Sequence, residues 1–499
     1  MADSDRTIKK RRPSSPDCSP ALDYLTGESA VVREAKPHIL QLPIEVFVYI
    51  LQFLDQVEWL RLSCVCQYFR TGVNLVLRTV KTVDFRNFVQ SSPGLKAESF
   101  ISYYLGSSRN LREVVIQGSV LSSIRRPVLL EMVALENLQK LDISFCRIDV
   151  GLFRRLLRGL PHLNELYMDG SLSYVRNSQH DLQRIERAND NVSKGFSSLV
   201  NLRALRFSNN DKVTGEVLVA LSKSHLEELF LESWMVLEMS VVGEILSQSH
   251  CLTKLNLSLP KRLSKSRPPV NGTECDFFKL VDRLPNPQLL KGLTLHIHSG
   301  DSTSSWSTFF KKCRQLEEVS VDSPRMFTSD CVDVLIDSCP LLSKVKLHPD
   351  VFRSAEVVER IGRIPALRAL AIDCPKPKGG LEEFSFEIFC SAASNLEELD
   401  LDHLIIQRQC LSSLYRLEKL STLRIGWNSM KNEILLAIPA AVYSRLSHLE
   451  IHDAPKITEG CLLLVGRHLN PSCHVSFVNL CSSSLLQKML KRFKRPPVS

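Results

Sequence analysis

Few residue sets in this 499-residue chain could carry covalent chemistry. His296 and His298 in LTLHIHSG alternate along an expected strand, so they share one face and could offer two imidazole nitrogens to a metal ion. No carboxylate or cysteine completes that set, and no metal site is expected. Neither G-x-S-x-G, nor a glycine-rich phosphate loop ending in Lys-Ser/Thr, nor H-E-x-x-H occurs. The 15 cysteines include no C-x-x-C pair, and Cys64-Val65-Cys66 falls within a helical pattern. Most of the others sit in apolar runs such as CPLLSKV and CLLLV, where a free thiol packs as a small hydrophobe. The expectation is a protein that is not an enzyme and needs no cofactor.

Charge points instead to binding. The net charge is +9, but the excess is local. Lys9, Lys10, Arg11 and Arg12 form one cluster, Lys261, Arg262, Lys265 and Arg267 a second, and Lys488, Lys491, Arg492, Lys494 and Arg495 a third. Together these exceed the net charge, so the remaining body is slightly acidic. The first cluster, KKRRP, fits a nuclear-import patch and predicts residence in the nucleus and/or cytoplasm. No aromatic residues are interleaved with the other two in the manner of a stacking surface, so nucleic acid is not an expected partner. No run of eighteen apolar residues occurs and the N-terminus lacks a secretory h-region, which predicts an intracellular chain with free thiols.

The elements that must position any binding residue announce themselves by repetition. The core L-x-x-L-x-L recurs from LREVVI through LQKLDI, LNELYM, LRALRF, LEELFL, LTKLNL, LKGLTL, LEEVSV, LSKVKL, LRALAI, LEELDL, LSTLRI and LSHLEI. Most steps are about 24 to 29 residues, the range of leucine-rich repeats. Alternation at period two puts the fourth and sixth positions on one face of a short strand. Helical patterns such as DCVDVLIDSC follow and supply a stripe to pack behind it. No unit buries its own apolar face, so the units must stack into an α/β solenoid with parallel strands on the concave side and helices on the convex side. VKTVDF at Val80 is expected to start the array and CHVSFVNL to close it. The polar insertions SYVRNSQHDLQRIERANDN and KRLSKSRPPVNGTE are expected on an exposed edge. SCPLLSKVKL and APKITEGCLLLV resemble the cysteine-containing class of these repeats.

Strand positions 3, 5 and 7 should face the concavity. They read Glu113, Asp142, Glu165, Asp169, Glu228, Glu232, Glu318, Asp322, Asp373, Glu398, Asp400, Asp402 and Glu450 against Lys140, Arg206, Lys254, Lys344, Lys346 and Arg424. An acidic concavity predicts a protein substrate with a basic surface. Glu228, Phe230, Glu232, Glu398, Asp400 and Asp402 are its foremost candidate contacts.

Ahead of the repeats, LPIEVFVYILQFL (residues 42 to 54) is apolar on nearly every side of an expected helix. Phe47, Ile50, Leu51 and Leu54 make one stripe, and Val46, Val48, Tyr49 and Phe53 occupy much of the rest. VEWLRLSCVCQYF predicts a second helix and NLVLRTV a third. Three short helices cannot cover so much apolar surface, and an outward surplus, with Leu51 and Leu54 expected in it, marks a partner site. Leu42, Pro43, Glu45, Ile50, Leu51, Leu54, Leu60, Val65, Cys66 and Phe69 follow the pattern Leu-Pro-x-Glu, Ile-Leu-x-x-Leu, Leu-x-x-Cys/Ser-x-Val-Cys-x-x-Phe/Trp. The segment resembles the F-box. With the repeats, the chain is similar to the F-box/leucine-rich-repeat family of substrate receptors of Skp–cullin–F-box ubiquitin ligases, although Gln67 stands where a basic residue is frequent.

That resemblance implies that the F-box docks the Skp adaptor, and through it cullin and RING subunits, while the repeats hold a protein substrate for ubiquitination and proteasomal degradation. The residues just named, Phe69 apart, would form or support the adaptor surface. The implied division is a tail over 1–36, an F-box over 37–79, the solenoid over 80–485 and a basic tail over 486–499. Two other readings stay open: a scaffold whose F-box-like helices only cap the array, and a small-molecule co-receptor, which would need a basic pocket.

Overall fold

A computed structural model describes residues 39–86, 97–172, 182–258, 282–296, 303–321, 328–372, 383–426 and 430–478, apart from Lys223, Ser233, Met235, Val236 and His403. The basic clusters at 9–12, 261–267 and 488–495 lie outside the described residues, as do His298, Asp322 and Asp373.

Each repeated leucine core forms a strand where expected. Among the described residues, one parallel sheet of 15 strands follows the order of the cores, from Thr82–Asp84 to His474–Val478. VKTVDF opens the sheet, and HVSFV within CHVSFVNL is the last strand among the described residues. Register is in phase from end to end, so residues of like position form rows. One row is the buried ladder Leu141, Leu166, Leu205, Leu229, Leu255 and Leu293, continuing to Leu449, with no member more than 5% exposed. Each leucine touches its counterparts in the next repeats, so truncating one to alanine costs about 2–5 kcal/mol. The alternate rows carry the polar and charged side chains.

Helices on the other side complete the core. Val150–Arg158 starts on an Asp149 cap, ends on Arg155 and Arg158, and buries Phe153, Leu156 and Leu157. The acid-first, base-last order suits the helix dipole. Rings run from repeat to repeat: Phe153 to Phe196 at 5.9 Å, Phe196 to Phe207 at 5.3 Å and Phe207 to Trp234 at 5.0 Å between centroids.

The expectation for the first insertion is corrected in part. Its second half begins a helix of the convex layer, Leu182–Phe196, which buries Ala188 within the insertion and Val192 and Phe196 just after it. Those residues recur at helical spacing within a polar sequence, which composition alone conceals. The second insertion lies outside the described residues.

At strand ends, polar side chains close the carbonyls left over by the turn. The Cys146 thiol donates to the Ile116 carbonyl (3.1 Å), the Ser171 hydroxyl to that of Ile143 (2.7 Å) and the Asn210 amide to that of Met168 (3.1 Å). Burial pushes the Cys146 and Cys339 thiols up to about 12 and raises those of Cys313 and Cys390 as well. These four are therefore expected to resist alkylation in the native state at neutral pH, because the thiolate is the nucleophile. Cys64, exposed, is expected to react first among the described cysteines. Mass-spectrometric mapping of iodoacetamide adducts checks both; early labelling of Cys313 or Cys390 would mean the convex layer opens readily.

Candidate docking surface and concave face

The N-terminal helices are α1 (Ile44–Leu51), α2 (Gln56–Ser63) and α3 (Gln67–Leu77), followed across a gap by α4 (Ala97–Ser107). Pro43 caps α1 with φ −52 and ψ 143, a geometry proline holds at little cost, and Glu45 sits in the first turn. Three expected boundaries are corrected. The first helix stops at Leu51, and Gln52 to Leu54 form a tight turn. The expected second helix is split, with Cys64 to Cys66 as its corner. Cys66 is extended (φ −160, ψ 174) and begins α3, so Phe69 belongs to α3 and the third helix starts well before Asn74.

Hydrogen bonds then fix the three helices together. The Trp59 indole donates to the Leu51 carbonyl (2.5 Å), covering the end of α1. The Tyr68 hydroxyl donates to the Leu42 carbonyl (2.5 Å), and the Arg70 guanidinium to the Ser63 carbonyl (3.2 Å). Asp55 and Glu58 form a reciprocal capping box at the start of α2. Gly72 lets α3 approach α1: a Cβ there would lie 2.5 Å from the Phe47 ring.

This packing sorts the apolar residues of α1 and of the turn that follows it into two stripes. Phe47 and Leu51 are 1% and 0% exposed, with Ile44, Val48 and Leu54 packed beside them. Val46, Tyr49, Ile50 and Phe53 face out at i, i+3, i+4 and i+7, with Phe53 74% and Tyr49 62% exposed. The Tyr49 and Phe53 rings meet edge-on at 5.2 Å. Ile39, Leu40 and Val65 are exposed as well.

Of the motif residues, Pro43, Glu45, Ile50 and Val65 are therefore outward, Leu42, Leu54 and Cys66 half-buried, and Leu51, Leu60 and Phe69 buried. The outward placement expected of Leu51 is corrected by the helical phase, and Leu51 and Leu60 can only support a docking surface from beneath. Tyr49 and Phe53 are its largest exposed side chains, yet the motif does not single them out.

The opposite side of the domain abuts the array. Tyr104 donates to the Gln56 side chain (3.1 Å) and Tyr103 to that of Asn74 (2.7 Å), while the Asn110 amide donates to the Arg78 carbonyl (2.7 Å). The helices thus cap the first repeat on one face and leave another bare.

Among the described residues the expected concave charges fall in the in-register rows, except that Asp142 and Asp169 are buried and accept the backbone N–H groups of Ser144 and Ser208. Register turns many of the charges into cross-strand pairs. Lys254 reaches Glu228 at 2.6 Å, Lys140 reaches Glu165 at 3.1 Å, and Arg206 pairs with the buried Asp169. Arg424 lies 2.6 Å from Glu450 and 3.6 Å from Asp400, and His452 lies 2.8 Å from Asp402. Glu232 accepts the Asn256 amide at 2.5 Å. Phe230 lies between Arg206 and Asn256 in the same row. Lys140 also sits 5.5 Å above the Tyr167 ring. Sequence reasoning missed Tyr167, Asn256 and His452 as members of this face.

Among the described residues no cluster of three or more His, Cys, Asp or Glu side chains could hold a metal ion, and no helix is long and apolar enough to cross a membrane.

Residues 39–74 match the family model described as F-box-like. No curated protein sequence matches the chain. A chain from the crystal structure of the Rad7 and Elc1 complex in yeast superposes with a TM-score of 0.50 at 14% identity, over 86% of this chain and 95% of that one. An internalin, InlF, from Listeria monocytogenes matches at TM-score 0.26 and 12% identity, over 78% of this chain and 87% of that one. The functional domain of InlJ from the same organism, which includes a cysteine ladder, gives 0.29 and 15%, over 71% of this chain and 60% of that one. At 14% identity, the likeness to the Rad7–Elc1 chain is one of fold. Residues 39–74 are an F-box-like domain, set at the N-terminal end of a leucine-rich-repeat solenoid.

Proposed function

We propose that this chain is a non-catalytic substrate-recognition subunit of a Skp–cullin–F-box ubiquitin ligase. The observation that carries the reading is the bare stripe of Val46, Tyr49, Ile50 and Phe53 on an F-box-like domain. An apolar stripe ending in two aromatic rings suits a docked partner, since aromatic anchors dominate interface energetics. The assembly of Rad7 with Elc1 in the neighbouring structure supports a Skp-type adaptor as that partner. Through the adaptor, cullin and RING subunits would be recruited. The repeats then hold a protein substrate, and transfer is accelerated by effective concentration, for which the chain needs no nucleophile of its own. The patch Lys9 to Arg12 is proposed to direct nuclear import, which would place the protein in the nucleus as well as the cytoplasm.

On the concave face, Glu228 and Glu232 are engaged by Lys254 and Asn256, and Glu398, Asp400 and Asp402 lie on one strand toward the C-terminal end, Asp400 near Arg424 and Asp402 against His452. A substrate with a basic surface fits these acids. Reversing all three to lysine is expected to change the set of proteins co-purified from proteasome-inhibited cells and to leave adaptor capture intact. An unchanged set would remove this strand from the substrate site.

The contacts of Tyr103 and Tyr104 with Asn74 and Gln56 favour a second role for the same helices, capping the first repeat. The two roles use different faces and are compatible.

A further inference from the structure

The cross-strand charge ladder is interrupted at Gly292–His296, where Gly292 stands between Lys254 and Glu318, and again at Ala369–Ile372. Ala369–Ile372 carries alanine at both of its concave positions, Ala369 and Ala371. On one side of it stand Lys344 and Lys346, on the other Glu398 and Asp400. Together with Glu318 on the lysine side and Arg424 on the acid side, they line a depression of about 190 Å³ on the concave face. Where opposite charges occupy adjacent strands, as in Lys254–Glu228 and Lys140–Glu165, they close to 2.6 and 3.1 Å. Here two strand spacings, about 9–10 Å, separate Lys344 from Glu398. Neither closes an ion pair among the described residues, although Lys344 has Glu318 beside it in register and Arg424 attracts Glu398 at longer range. Asp400 shares Arg424 at 3.6 Å, and Arg424 is held more closely by Glu450 at 2.6 Å.

We propose that this notch is a binding subsite for a dipolar peptide segment, one acidic and one basic side chain projecting from the same face of an extended strand. The inference rests on the substrate-receptor reading and refines it, since the partner brings an acid to this site as well as a base. Its carboxylate pairs with Lys344, its cation pairs with Glu398, and the stem between them lies over the two alanines. Residues i and i+2 of an extended segment are about 7 Å apart, and long side chains make up the remaining reach. The depression is smaller than the roughly 300–1,000 Å³ of sites that enclose a whole small molecule, which favours part of a larger ligand. Charge-assisted pairing at both ends gives register and orientation as well as affinity.

The test uses the full chain with its adaptor and four fluorescein-labelled nine-residue peptides, with cores Glu-Ala-Lys, Lys-Ala-Glu, Lys-Ala-Lys and Glu-Ala-Glu, read by fluorescence anisotropy. At least one dipolar peptide is expected to bind tenfold or more tighter than both single-sign peptides. Ala371→Phe, which fills the notch, is expected to abolish that preference, and Lys344→Ala and Glu398→Ala each to reduce it severalfold. Circular dichroism and adaptor capture confirm that the variants are folded. Tighter binding of Lys-Ala-Lys would overturn the proposal in favour of a purely acidic site. Absence of binding by all four peptides, or a preference unaffected by Ala371→Phe, would also overturn it. Loss of adaptor capture by the wild type, with the dipolar preference intact, would sink the ligase reading and leave the notch standing.

Discussion

A variant carrying Ile50→Glu and Phe53→Asp is expected to lose capture of the Skp adaptor by at least about a hundredfold while keeping its fold. Both side chains are exposed, Ile50 at 37% and Phe53 at 74%, so little of the domain's own packing depends on them. Exposed substitutions of this kind change stability by about 0.5 kcal/mol or less. At an interface, each buried apolar anchor is worth about 2 kcal/mol, or roughly thirtyfold, and charge placed in a desolvated contact adds to the loss. The two positions are neighbours on one stripe, so their effects are not fully additive. Leu51→Glu makes the contrast. It buries an unpaired charge beneath the same surface, where the Leu51 side chain is 0% exposed, and is expected to unfold α1 and lose capture together. Co-purification beside circular dichroism separates the two causes. If the double variant captures adaptor as the wild type does, the bare stripe is not the docking site.

The second large effect lies at the other end of the chain. Gly426→Val is expected to cost about 3 kcal/mol or more and to open the last repeats. A Cβ on Gly426 would stand 2.0 Å from the carbonyl oxygen of His452 and 2.6 Å from its carbon. These are backbone atoms of the adjacent strand, so no rotamer change relieves the clash. Parting Thr422–Gly426 from His448–His452 also breaks the Arg424–Glu450 pair and the contact of His452 with Asp402. Because repeats contact only their neighbours, the damage should stay local. Hydrogen exchange is expected to rise from Thr422 onward, with residues 39–258 and adaptor capture unaffected. Gly460→Ala serves as the control. Nothing lies within 4 Å of the place its Cβ would take, and in a helix the change is expected to stabilise by about 0.5–1 kcal/mol. Unchanged protection in Gly426→Val would mean that the ladder there is looser than its register implies.

The array is legible in the sequence because L-x-x-L-x-L is both a periodicity and a repeat: every core predicts a strand, and in-phase stacking predicts the rows. Even the pairing of Lys254 with Glu228 follows from aligning one repeat on the next. The F-box-like helices are less legible for a physical reason. A helix apolar all round has no preferred phase in sequence, so Leu51 and Ile50 could exchange places. The phase is set in space, by the room Gly72 leaves for the Phe47 ring. The corner between α2 and α3 is hidden as well. VEWLRLSCVCQYF keeps its helical apolar period through Cys64-Val65-Cys66 and carries neither glycine nor proline to mark the break. The Arg70 bond to Ser63 that closes α2 forms only once the chain has turned. Likewise, Leu182–Phe196 hides three buried side chains in a polar stretch, and only packing against the preceding convex helix reveals its phase.

The measurement closest to the central claim is an isothermal titration of the purified full chain with the Skp adaptor, repeated with the Ile50→Glu/Phe53→Asp variant. Docking through the bare stripe predicts one-to-one binding at about micromolar affinity or tighter for the wild type, and no measurable heat for an equally folded variant. A well-folded wild type that gives no binding would contradict it. The helices would then serve the solenoid only as a cap.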